Sequence, residues 1–212
     1  MIIKTFVEGP IDANNYLLID EKSSESVLID CSSSCDDFIQ NVKNAGAKLK
    51  YVLLTHGHFD HIIGCDKFRE VFGCKIYVNK EDVNQPNSSM KMANEFMGLG
   101  LKEIAPITDF VNDGDEFIVG NICIKAIATP GHTQGGMSYL VDGKLFSGDT
   151  LFKGSVGRTD LPGGNWKEIL HSVRDKLFLF PDETEIYPGH GPKSTIGYEK
   201  EYNEIIMKIG SH

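Results

Sequence analysis

The sequence predicts a mixed α/β (α+β) protein built as a four-layer αββα sandwich, two β-sheets packed face to face with helices on both outer faces. Three observations lead there. Strand-like runs fall into two blocks, and helical patterns follow each block. The 212 residues, 41% hydrophobic and 24% charged, suit one compact domain over residues 1–212, with no low-complexity linker and no short repeat. Histidines and aspartates recur just past apolar runs, where loops at one rim of a sheet scaffold bring side chains together.

The first block opens with Ile2 to Val7, Asn15 to Ile19 and Ser26 to Ile29, apolar and β-branched runs bounded by Gly, Asp or Ser, which read as a strand meander. Ser34 is a candidate N-cap for a helix over Cys35 to Ala45, with Phe38, Val42 and Ala45 at helical spacing and Gly46 as the stop. Lys50 to Leu54 reads as a buried strand, His61 to Phe72 as a helix and Lys75 to Val78 as a strand. The polar, Met-containing stretch Glu81 to Leu101 is helical in part. The second block has strands near Asp115 to Val119, Ile122 to Ala128, Gly136 to Val141 and Lys144 to Ser147, with Asp142-Gly143 as a hairpin turn. Helix Trp166 to Leu179, strand Glu185 to Tyr187 and helix Gly197 to Ile209 close the chain.

A formal net charge of −9 disfavours nucleic acid or an anionic membrane surface as partner and leaves a small molecule. No stretch reaches the roughly 18 apolar residues of a membrane span, and the N-terminus lacks the pattern of an export signal, so a soluble, cytoplasmic protein is expected. The five cysteines, Cys31, Cys35, Cys65, Cys74 and Cys123, contain no CxxC pair and read as reduced and structural.

The chemistry centres on Thr55-His56-Gly57-His58-Phe59-Asp60-His61, which directly follows the apolar Tyr51 to Leu54 and precedes a helical pattern. In extended backbone His56 and His58 project to one side and can converge on one ion. Asp60 and His61 leave the strand at the helix start and can turn toward a second. A surface histidine cluster would have no reason to follow a buried strand. Three further candidates, His132, Asp149 and His190, each follow an apolar run and a glycine. Of the other two histidines, His171 within a helical pattern and His212 at the end read as ordinary surface or structural residues.

In the order H-x-H-x-D-H, then His, Asp and His, the chain resembles the metallo-β-lactamase superfamily over nearly its full length. The resemblance implies the αββα fold and two divalent metal ions, Zn2+ or else Fe or Mn. His56, His58 and His132 match the first metal site, Asp60, His61 and His190 the second, and Asp149 the bridging carboxylate. Gly148 to Phe152, Gly154 to Gly164 and the run Asn14-Asn15-Tyr16 look like the glyoxalase II branch, especially its short members, which implies hydrolysis of thioesters such as hydroxyacylglutathione. Two shared cations would draw a proton from the water between them, giving a hydroxide beside the carbonyl, with Asp60 and Asp149 as the catalytic carboxylates.

Long glyoxalase II enzymes add a helical domain with basic glutathione contacts, whereas 22 residues follow His190 here. Arg158 lies where the family places a basic substrate contact, and two roles fit it: binding a substrate carboxylate, or tethering its own loop through Asp160. Alternative activities are a persulfide dioxygenase with one iron on His56, His132 and Asp149, a lactonase or a phosphodiesterase, and a non-catalytic binding module is a different class altogether.

Overall fold

The computed structural model describes residues 1–207. The first sheet takes its strands from the first sequence block: β1 (Ile2–Glu8), β2 (Ala13–Ile19), β3 (Glu25–Ile29), β4 (Lys48–Leu53), β5 (Lys75–Asn79) and β6 (Asp109–Val111), paired in chain order. Its first three strands form an antiparallel meander, and β3 to β6 run parallel. Helices α1 (Asp36–Asn44), α2 (Phe59–Ile62), α3 (Cys65–Phe72) and α4 (Gln85–Met97) belong to this half. The second sheet is built from β7 (Glu116–Val119), β8 (Ile122–Ala128), β9 (Met137–Val141) and β10 (Lys144–Gly148); a small hairpin, β11 (Leu151–Phe152) and β12 (Ser155–Val156), follows, then helix α5 (Trp166–His171). The last elements are β13 (Glu185–Pro188), β14 (Ser194–Thr195), α6 (Ile196–Tyr202) and α7 (Glu204–Met207), and the second sheet has the order β14-β13-β10-β9-β8-β7.

Strand periodicity explains why there are four layers. Successive side chains point to opposite faces. Leu17 and Ile19 of β2 join Phe38, Phe68 and Val42 in a cluster under the outer helices, whereas Tyr16 and Leu18 join Phe146, Tyr139 and Tyr187 between the sheets. On the other side Leu145 and Ile186 face Ile169, Val173 and Leu177 in a third cluster, while their neighbours Phe146 and Tyr187 face inward. Three apolar layers separate four layers of secondary structure, and each fully buried Phe or Leu contributes about 1.5–3 kcal/mol.

The structure corrects several expected boundaries. The cap of α1 is Cys35, whose Sγ accepts from the Phe38 amide at 3.4 Å, not Ser34. The single helix expected from His61 to Phe72 is two, because the chain breaks at Gly64, whose amide donates to the Cys31 carbonyl at 2.8 Å. A Cβ there would stand 2.4 Å from the Ser33 carbonyl oxygen, so only glycine lets the two segments pass. The short edge strand β6 went unread. Trp166 to Leu179 winds from α5 into a π turn at Ser172–Lys176 and a 3₁₀ turn at Leu177–Leu179. Asp142 and Gly143 both have positive φ, 46° and 69°, the backbone of a type I′ hairpin. The expected end of the last helix at Ile209, and His212, lie outside the described residues.

Candidate metal centre

The seven candidate ligands come from loops at the carboxyl ends of four strands. His56 and His58 follow β4, with Asp60 and His61 in α2; His132 follows β8, Asp149 β10 and His190 β13. Strands β8, β10 and β13 share one direction, since β8 and β10 each run antiparallel to β9 and β10 runs parallel to β13. Their ligand loops therefore open on one rim. Two glycines make the approach possible. Gly148 has φ 49°, and a Cβ on Gly189 would meet Asp149 Oδ1 at 2.1 Å.

The side chains gather into three overlapping trios, His56, His58 and His132; His56, His61 and Asp149; Asp60, His61 and His190, each with its ligand atoms within 4.8 Å of one another. His58 Nδ1 is 2.9 Å from His132 Nε2, and His190 Nε2 is 3.0 Å from Asp60 Oδ2 and 3.3 Å from His61 Nε2. Asp149 spans the two groups: Oδ2 is 3.5 Å from His132 Nε2, and Oδ1 is 3.5 Å from His61 Nε2.

Outer hydrogen bonds orient the rings. His132 Nδ1 donates to the Arg158 carbonyl at 2.7 Å and His190 Nδ1 to the Asp12 carbonyl at 3.3 Å, which turns both Nε2 atoms into the cluster. His61 Nδ1 donates to Asp30 Oδ2 at 2.8 Å. Thr55 Oγ1 gives its proton to the same Asp30 oxygen and so accepts from His56 Nδ1 at 3.1 Å, leaving His56 Nε2 directed inward. Such partners fix the tautomer and ring angle of a metal-ligating histidine.

These residues fit a pair of divalent cations. His56 Nε2 and Asp149 Oδ1 are buried without any hydrogen-bond partner in the protein, an arrangement that costs about 1–3 kcal/mol per group unless something else satisfies it. Burial, helped by the neighbouring imidazoles, pushes the His56 and His58 pKa values down, that of His58 to about 3, so both present neutral nitrogens. Burial opposes charge on Asp60, but His61, His190 and His56 together hold its carboxyl well below the usual range. Burial likewise opposes a proton on His61, and Asp60, Asp30 and Asp149 override it and raise that ring well above its ordinary value. Three carboxylates around one imidazole make a cation-attracting pocket.

Two residues that carry this architecture went unread in the sequence. Asp30 directly follows β3 in the run Val27-Leu28-Ile29-Asp30, the same apolar-run-then-acid signal as Asp149. Asp82 is buried and accepts from the Gly57 amide at 3.0 Å, Thr133 Oγ1 at 2.7 Å and the Gly135 amide at 2.7 Å, tying the His56-His58 loop to the His132 loop. The Asn14-Asn15-Tyr16 run has a structural role: the Asn14 amide donates to the Pro188 and Gly191 carbonyls and the Tyr16 hydroxyl to Pro188, securing the His190 loop.

A cleft of about 750 Å3 opens over the cluster, lined by His58, Asp60, His132, Asp149, His190 and Arg158 and by apolar side chains of α4 and the β11-β12 hairpin. Arg158 pairs with Asp160 through two hydrogen bonds of 2.7 Å, both residues exposed. The five cysteines are unpaired, and His171 lies on the surface beside Asp175. Among the described residues no helix is long and apolar enough to cross a membrane.

The profile of the metallo-beta-lactamase superfamily matches residues 9–190. The probable metallo-hydrolase YqgX of Bacillus subtilis is 35% identical, with 93% of this chain and 94% of that protein covered. The hydroxyacylglutathione hydrolase GloC of Haemophilus influenzae is 31% identical over 91% of this chain and 92% of its own length. Among solved structures, the BLEG-1 B3 metallo-beta-lactamase superposes with a TM-score of 0.89 at 31% identity, covering 97% of this chain and 99% of that one. TTHA1623 in a di-iron-bound form gives 0.86 at 30% identity, covering 95% and 99%. Fold, ligand rim and relatives agree that this chain belongs to the metallo-β-lactamase superfamily.

Proposed function

We propose that this protein is a dinuclear metal-dependent hydrolase of thioesters. The observation that carries the reading is the position of Asp149 between the two ligand groups, with Oδ2 near both His132 and His190 and Oδ1 near His61, at the floor of a cleft whose other lining residues include a single titratable side chain, Arg158. His56, His58 and His132 would hold one cation, Asp60, His61 and His190 the other, and Asp149 both. When bound, such a pair supplies a nucleophile from water at neutral pH and polarises a carbonyl. Zinc is the metal expected, with iron as the competitor, since a similar protein is described in a di-iron-bound form.

The chain's own residues account for the rest. Asp60 lines the cleft and would orient the attacking water. The neutral imidazoles of His56 and His58 stay available because burial keeps them unprotonated. A thiolate leaves without a strong acid, which suits a cleft with no proton donor of the Lys or Tyr kind among its described lining residues. The 31% identical relative named hydroxyacylglutathione hydrolase supports thioesters over lactones or phosphodiesters. The complete second trio makes room for a second metal, and metal count with oxygen consumption separates this reading from the one-iron persulfide dioxygenase scheme.

The test is a panel of thioester, lactone and phosphodiester substrates, run beside elemental analysis and an oxygen electrode. Thioester turnover with two metals per chain is expected. Oxygen consumption with one iron, or phosphodiester turnover alone, would overturn it.

A further inference from the structure

Helix α4 carries an apolar stripe that the metal chemistry does not use. Ser89, Met92, Ala93, Phe96 and Met97 recur at three- and four-residue intervals and all line the cleft, while Met90 on another face is buried in the core. Phe96 is 82% exposed and Met97 47%. The stripe is held at a fixed place relative to the cluster, because Ser89 Oγ donates to the Gly57 carbonyl at 3.2 Å and a Cβ on Gly57 would meet Gln85 Cβ at 2.6 Å. Ile11, 42% exposed, and Phe59, Phe152, Val156 and Leu161 add to the apolar lining. The cation of the cleft, Arg158, already has one edge of its guanidinium, Nε and Nη2, on the Asp160 carboxylate.

An apolar lining joined to a reactive centre, with its one cation neutralised, selects against a charged substrate tail and for an apolar one. Resting on the thioester reading, we infer that the preferred substrates carry an apolar acyl chain or ring, seated along α4 with Phe96 as its principal contact. Phe96 is thus a specificity-determining residue. It leaves the reacting atoms to the cluster.

The test uses the metal-loaded full chain and acyl thioesters of one neutral thiol, from acetyl to octanoyl. kcat/KM should rise about two- to fourfold per added methylene over the first few carbons, the gain from partial to full burial of a methylene. Phe96→Ala should raise KM about tenfold more for the octanoyl than for the acetyl substrate, and Phe96→Leu should restore most of that difference. Binding of an uncleavable S-octyl thioether, measured by calorimetry, reads the same site without chemistry. If no thioester turns over but the thioether binds and Phe96→Ala weakens it, the reaction assignment fails and the apolar site stands. A flat chain-length series with no thioether binding overturns the apolar site. A concentration-dependent dimer abolished by Phe96→Asp, with chain length immaterial, also overturns it and makes the stripe a contact between copies.

Discussion

Asp30 Oδ2 accepts two hydrogen bonds at once, from His61 Nδ1 and from Thr55 Oγ1, each at 2.8 Å, and through Thr55 it also orients His56. One buried carboxylate outside the ligand set thereby aligns a histidine on each side of the cluster. Asp30→Ala should weaken metal retention about 10- to 100-fold at both positions, the usual loss when such a partner is removed. Chelator competition on the purified variant reads this directly. Unchanged retention would show that packing alone orients the rings.

Asp149→Ala should deplete both metals, because its carboxylate lies between His132 on one side and His61 and His190 on the other. His132→Ala should deplete one, and His190→Ala the other. Elemental analysis after metal supplementation separates these cases. A wild-type stoichiometry reproducibly at or below one per chain would refute the dinuclear arrangement.

Asp82 accepts three hydrogen bonds from two ligand loops while buried. Its removal leaves two buried amides and a hydroxyl to find other partners, so Asp82→Ala should cost on the order of 2–5 kcal/mol of stability, the bonds to a charged group being offset in part by relief of its burial. Urea unfolding measures it. Burial raises the Asp82 carboxyl, with the three donors opposing that shift, so its net effect on stability weakens as the pH rises above the ordinary carboxylate range. A midpoint unchanged by the substitution would remove Asp82 from the framework.

Arg158 and Asp160 form an exposed pair, so neither Arg158→Ala nor Asp160→Ala should move the melting temperature noticeably at neutral pH. The hydrogen bond from Arg158 lowers the Asp160 carboxyl to about 2, so the pair forms fully above the ordinary carboxylate range and is lost only as the pH falls through about 2. Asp160→Ala frees the guanidinium, and KM for a glutathione thioester should fall severalfold with kcat unchanged, while Arg158→Ala leaves a neutral thioester unaffected. Equal losses on charged and neutral substrates would mark the pair as a loop tether.

The membership of the site was legible in the chain because its ligands obey local rules. His56 and His58 alternate on extended backbone, and Asp149 and His190 follow apolar strands through a glycine, so residue type and spacing pointed to the seven side chains that the structure gathers into overlapping trios. The two-block order of strands likewise carried the four layers, since Leu17 and Leu18 must face opposite ways. Short-range contacts across the fold were not legible. Gly64 breaks a helix only because the chain at Cys31 and Ser33 passes against it, and Asp30 and Asp82 gain their roles from partners 25 to 53 positions away. Pairing of that kind depends on how loops from different strands meet, which no local pattern encodes. The sequence by itself determined which side chains can converge on one rim; the packing of two sheets decided which groups aim them and which face of α4 lines the cleft above.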